Sequence, residues 1–240
     1  MSRTSPHRFI LLSSLALALA PMSCGSDPEV CTLGSSMGCE EGFVCETVGG
    51  SDVPMCFAPI QLRGRVFDAG TGAGIEGATI VAIDASAAPR SVVARSAADG
   101  TYVLPIAVER AEDGAFAAES VFLRVDADGY QTFPTAPRTA LPIEVSEAQV
   151  MEVDGARVIM STTTDVALIA LPAGSGSGRI EGLVDHPDGD GVLVVAEQGG
   201  AAVSTAISDR DGTVILFNVP AAETQVLGFR ANLNVSPTTL

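Results

Sequence analysis

"DGTYVLP" (residues 99–105) reads as a turn running into a strand, and the chain repeats it as "DGTVILF" (211–217). Asp-Gly tolerates positive φ where a backbone reverses, so Asp99-Gly100 and Asp211-Gly212 are expected to be hairpin tips. The residues that follow are β-branched, aromatic or leucine, which suits a pleated, half-buried surface. Around the first copy stand "QLRGRVF", "ATIVAID", "SVVARS", "SVFLRVD", "ARVIMS" and "DVALIAL". Each run has strand length and is bounded by Gly, Asp or Pro. In "SVFLRVD" Val121, Leu123 and Val125 share one face, with Arg124 and Asp126 on the other. No stretch after Cys56 carries a convincing helical period. The sequence predicts an all-β fold of sandwiches.

The same texture restarts after a linker at 173–178 that is flexible by its Gly/Ser composition. "RIEGLVD", "GVLVVAE", "AVSTAIS", "TVILFNV" and "TQVLGFRA" follow. "RGRVFD" (63–68) aligns with "EGLVDH" (181–186), and "LRVDADGY" (123–130) more loosely with "VLGFRANL" (226–233). Two tandem copies of one β module, at 60–172 and 179–240, are the economical reading. After Gly129-Tyr130 the first copy runs on to Pro172. After Gly228-Phe229, read as the corresponding pair, only a short tail interrupted by Pro237 remains. The second sandwich is therefore expected to be smaller, with an incompletely covered edge, or the natural chain continues past Leu240.

The first copy resembles the carboxypeptidase regulatory-like, or transthyretin-like, domain family. The resemblance rests on Gly64, Val66 and Asp68; on Thr71, Gly72, Ile75, Gly77 and Ala78; on Asp99, Gly100, Tyr102 and Leu104; and on Leu123, Val125, Ala127, Gly129 and Tyr130. The second copy has Val214 where the family pattern has tyrosine. The resemblance implies Greek-key, immunoglobulin-like sandwiches of about seven strands used as accessory modules. Within that pattern Gly77-Ala78 keeps side chains small where a strand enters the sandwich. Tyr130 is expected to bury its ring while its hydroxyl meets a backbone group.

The N-terminus places Arg3 and Arg8 before the apolar stretch from Phe9 to Ala20, the layout of a secretory signal peptide (1–23). "PMSC" (21–24) resembles a bacterial lipobox, although Pro21 stands where leucine is usual. A competing cut would fall after Ala20. Parity separates the two. The chain has 5 cysteines, and lipid on Cys24 leaves an even set, Cys31, Cys39, Cys45 and Cys56, for two disulfides. The segment 24–58 is then a lipidated tether and a Cys-rich unit too small to fold without staples. Zinc is the rival reading, disfavoured because no close Cys pairs occur. Sequence alone permits three pairings; the expected one is 31–45 and 39–56, crossed as in small secreted modules. The unit is expected to be a stiff stalk, with Phe43 and Phe57 as its miniature core and no share in the sandwich cores.

A formal net charge of −16 with no lysine argues against nucleic acid or anionic lipid headgroups as partners. "GTGAGIEG" (70–77) precedes a strand, so it is a turn and not a dinucleotide loop. Beyond the signal peptide His186 is the only histidine, which excludes a two-His metal site and leaves little room for a triad. "HPDGDG" (186–191) and "SDRDG" (208–212) pair aspartates at i and i+2 as calcium loops do, without completing the pattern. Asp188, Asp190, Asp209 and Asp211 are thus weak calcium candidates, and no metal or cofactor is expected. Sugar-binding surfaces usually need aromatic platforms, and the chain has no Trp and 2 Tyr, both claimed by the fold. These readings point to a non-catalytic lipoprotein of the outer membrane or cell surface. It would display modules for adhesion or scaffolding to a protein or polysaccharide. The alternative is a carbohydrate-binding accessory protein.

Overall fold

The computed structural model describes residue 31 and residues 38–111, 113–172, 177–231, 233–234 and 236–240. The signal peptide and Cys24 lie outside them. The regular elements among the described residues are all strands. A small hairpin, β1 (Val44–Glu46) and β2 (Met55–Phe57), sets Cys45 opposite Cys56. Disulfides join Cys31 to Cys45 and Cys39 to Cys56, the crossed pairing expected.

The first module contains β3 (Ile60–Asp68), β4 (Thr79–Ile83), β5 (Ala94–Arg95), β6 (Thr101–Ile106), β7 (Glu119–Asp126), β8 (Ile143–Val145), β9 (Met151–Val153), β10 (Ala156–Ile159) and β11 (Val166–Leu168). β3 is the spine of one sheet. It pairs antiparallel with β6 on one edge. On the other it pairs in parallel with β10 near its start and with β11 at its end. The facing sheet has the order β5-β4-β7-β8. Alternation turns Leu62, Val66, Leu104, Ile80, Leu123, Val125, Val166 and Leu168 inward, and all are buried. Each such side chain contributes about 1.5–3 kcal/mol.

The second module contains β12 (Ser177–Leu183), β13 (Leu193–Gln198), β14 (Ala201–Ile207), β15 (Thr213–Pro220), β16 (Gln225–Arg230), β17 (Leu233–Asn234) and β18 (Thr238–Thr239). It duplicates the first in register. Gly64 faces Tyr102 and Leu62 faces Leu104; Gly182 faces Val214 and Ile180 faces Leu216. The looser sequence match holds as well. Leu123 pairs with Ala82 as Val226 pairs with Ala196, and Val125 pairs with Ile80 as Gly228 pairs with Val194. Gly228-Phe229 is therefore not the counterpart of Gly129-Tyr130, because Gly228 occupies the place of Val125.

A buried serine that carried no sequence signal repeats with the fold. The Ser96 hydroxyl donates to the Ile75 carbonyl (2.6 Å) and accepts from the Ala78 N–H (2.9 Å). The Ser208 hydroxyl donates to the Gly189 carbonyl (2.5 Å) and accepts from the Val192 N–H (2.8 Å). Each ties the entry of a strand to the chain returning beside it. Ser96→Ala strands two buried backbone groups, so the first module should lose about 1–3 kcal/mol, and Ser208→Ala should do the same to the second. Urea unfolding followed module by module checks this; unchanged midpoints would contradict it.

The Asp-Gly turns are not hairpin tips. β5 lies in one sheet and β6 in the other, as do β14 and β15, so each turn carries the chain across its sandwich. A second correction concerns the tyrosines. Tyr102 is the buried one, its hydroxyl donating to the Thr164 carbonyl (2.6 Å), whereas Tyr130 is half-buried. At Gly77 positive φ (71°) is what demands glycine, since an added Cβ would meet open space.

The linker is partly strand. Ser177 and Gly178 pair with Pro220 and Val219. The two modules also bond directly. The Asn218 amide donates to the carbonyls of Ala127 (3.0 Å) and Tyr130 (2.8 Å), and its oxygen accepts from the Gly129 N–H (2.8 Å). Arg124 donates to the Thr205 carbonyl (2.7 Å) and hydroxyl (2.8 Å). Residues 173–176 of the expected linker lie outside the described residues, and the described parts of the two sandwiches meet in a hydrogen-bonded joint.

Candidate functional site

The Cys-rich unit is no separate stalk. Glu46, next to Cys45, is buried and takes the Nε–H of Arg110 (2.5 Å), itself buried in the first module. Glu46 also accepts from the Val108 N–H (3.2 Å). The rest of the guanidinium donates to the carbonyls of Gly114 (3.1 Å) and Ala58 (3.3 Å). It lies 4.7 Å from the Phe57 ring centroid and 5.5 Å from that of Phe116. Phe57 thus stacks on an arginine and does not form a miniature core, and Phe43 is exposed. Burial raises the Glu46 carboxyl above its ordinary value, and Arg110 pulls against that rise.

A cleft of about 380 Å³ opens where the Cys-rich unit and both sandwiches meet, with Glu46, Arg90, Glu109, Asp190 and Arg210 on its walls. Three of its charges are committed to partners outside the lining. Arg90 pairs with Glu119 (2.6 Å), Glu46 with Arg110, and Asp190 with Arg230 (3.0 Å). No imidazole or thiol lines it. Such a wall can hold a polar contact but offers no nucleophile paired with a base.

A second cleft, of about 500 Å³, lies in the second module between β12 and β16. Ile180, Val184, Val194, Val214 and Val226 line it, and Thr238 and Leu240 form its rim. It is mainly apolar and follows the edge of β12. Leu183, beside it, is 63% exposed.

The predicted site residues fall as follows. Cys24 lies outside the described residues. Cys31, Cys39, Cys45 and Cys56 form the two disulfides. Three of their sulfurs make the one tight group of metal-ligand atoms among the described residues, and their bonding as disulfides removes them as ligands. Asp99 accepts from the Thr101 hydroxyl (2.7 Å) and N–H (2.9 Å), and these bonds hold its carboxyl below the usual range. Asp211 accepts from the Thr213 N–H (3.0 Å) with the same consequence. The four calcium candidates do not converge. The Arg230 guanidinium donates to the carbonyls of Asp188 and Asp190 (2.5 Å each) and to the Asp190 carboxylate, while Asp209 takes the Arg210 N–H (2.6 Å). A cation already sits at the first loop, supplied by the chain. His186 is exposed and accepts from the Asp188 N–H (3.0 Å).

No protein-family model matches the chain, and no curated protein matches it. Among solved structures it is similar to the Bacillus anthracis TIE protein at 13% identity and TM-score 0.32, covering 75% of this chain and 31% of that one. It is similar to the major pilin subunit of Bacillus cereus at 9% identity and TM-score 0.30, covering 75% and 66%. The shaft pilin of Lactobacillus rhamnosus GG aligns at 11% identity and TM-score 0.26, covering 75% and 91%. This chain thus spans about a third of the first of these proteins. Scores this low carry no argument about function, which rests on the chain's own residues.

Three features of these surfaces belong to the tertiary structure, and the first two had no legible signal. Glu46–Arg110 joins two sequence-distant charges, Asn218 sits in an ordinary strand run, and β12 has an open side because no strand among the described residues lies beside it. A signal for the last was present, in the shortness of the second copy.

Proposed function

We propose that the chain is a non-catalytic cell-envelope lipoprotein that presents two β-sandwich modules as an adhesion or scaffolding element. The observation that carries this reading is the cysteine arrangement. With Cys31–Cys45 and Cys39–Cys56 closed, Cys24 is the odd cysteine of five, directly after a short apolar stretch. Structural disulfides belong to an oxidising compartment, which fits export. The joint at Asn218 and the buried Glu46–Arg110 pair suit a rigid display element, since both resist bending between units. The family resemblance of the first module fits an accessory role. Lipid on Cys24 would attach the assembly to the membrane, with the sandwiches held outside it.

Mass spectrometry of the native N-terminal peptide tests the anchor. The expected result is an acylated Cys24 as the first residue. A peptide beginning at Pro21 would overturn it.

A further inference from the structure

The two modules share one plan, and the described residues of the second supply only part of it. β12, β13, β14, β15, β16 and β18 stand where β3 to β8 stand in the first module. β18 beside β16 takes the place of β8 beside β7. Nothing among the described residues of the second module corresponds to β9, β10 and β11, which cover the far edge of β3. Among the described residues β12 pairs with β15 alone. The apolar cleft lies along this uncovered edge, and its lining residues include Val184, the counterpart of Val66.

The first module shows what chemistry fills such a place. β11 runs parallel to β3, with Val166 opposite Val66 and Leu168 opposite Asp68, and both of its apolar side chains are buried. Just before it, the Asp165 carboxylate accepts the Arg65 N–H (2.9 Å). In the second module the Val184 N–H is taken by the Gly212 carbonyl across the β15 ladder. By the alternation of an antiparallel ladder, the N–H of Leu183 faces the open edge, as that of Arg65 does in the first. Exposed sheet edges of this kind add strands readily.

We propose that the β12 edge of the second module accepts an extended strand from another polypeptide. That strand would run parallel to β12, with a carboxylate or amide side chain followed by apolar residues at alternate positions. Its side chain caps the Leu183 N–H, and its apolar residues fill the cleft between Val184, Val214 and Val226. The inference goes beyond the envelope reading and stands whether or not Cys24 carries lipid.

The test uses the soluble chain from residue 25 onward and a synthetic peptide of residues 164–171, "TDVALIAL", the segment that fills the first module. On adding peptide, hydrogen exchange at Leu183 should slow by about ten-fold or more. A peptide carrying Val166→Asp and Leu168→Asp should leave it unchanged. Leu183→Pro removes the edge donor where proline is tolerated and should abolish binding of the fluorescently labelled peptide, read by its anisotropy, without shifting the thermal midpoint. No protection at millimolar peptide, or equal protection by the substituted peptide, would overturn the proposal, and the peptide pair decides even if the proline variant fails to fold. Sedimentation without peptide should find a monomer. A dimer dissolved by Leu183→Pro would make a second copy the occupant and overturn the assignment to a different polypeptide.

Discussion

Gly100→Val should unfold the first module and leave the second standing, and Gly212→Val should do the reverse. Both glycines hold positive φ, 84° and 80°, where a β-branched residue is strained by about 1–3 kcal/mol. Space adds a second penalty. A Cβ on Gly100 would overlap the Val66 carbonyl oxygen, and one on Gly212 the Val184 carbonyl oxygen. Neither oxygen can retreat, because the same residues' N–H groups are bonded to the turn, Val66 to the Gly100 carbonyl (2.8 Å) and Val184 to that of Gly212 (2.9 Å). Strain and overlap together place the loss at about 4 kcal/mol or more, in the exceptional class for single substitutions. Module-resolved hydrogen exchange or limited proteolysis reads it out. Near-native stability with altered binding would mean that the turns serve a ligand and not the fold.

Arg110→Met should cost about 3–5 kcal/mol, because it leaves the Glu46 carboxylate buried with only the Val108 N–H. The loss should appear both in the first module and as loosening of the Cys-rich unit. Replacing both partners, Glu46→Leu with Arg110→Met, should recover most of it, since no charge is then left buried. The pH dependence has a definite sign. Burial puts the folded-state carboxyl of Glu46 above its ordinary 4.5, so the native state binds the proton more tightly than the unfolded chain. Its contribution is fully present below about pH 4.5 and is lost as pH rises through the folded value. Without Arg110 the folded value climbs further, so the variant's deficit should widen from acid towards neutral pH. Asp99 and Asp211, held low by their threonine bonds, titrate with the opposite sign. They cancel in the difference between variant and parent. Chemical denaturation at several pH values measures that difference, and a deficit that narrows towards neutrality would refute the assignment.

The separate-stalk expectation fails for the same reason. Twenty-odd residues around two disulfides bury too little by themselves, and this unit completes itself by lending Glu46 to the first sandwich. Reduction of Cys31–Cys45 should accordingly be felt across that contact.

The sequence by itself determined the all-β class, the duplication and the four cysteines that pair, because these depend on local periodicity, turn chemistry and parity. The runs "QLRGRVF", "TYVLPI" and "TVILFNV" each became strands within a residue or so of their expected bounds. β8 and β9 were missed, since strands of three residues carry too few positions to show alternation. Only the tertiary structure decided what the Asp-Gly turns join, since a turn specifies reversal but not which sheet receives the next strand. It alone brought Glu46 to Arg110 and Asn218 to the loop at 127–130, across separations that no local pattern spans. It also decided which edge stands open: β12 has the same pattern as β3, and what differs is a neighbour contributed a hundred residues further along the first copy and by nothing described in the second.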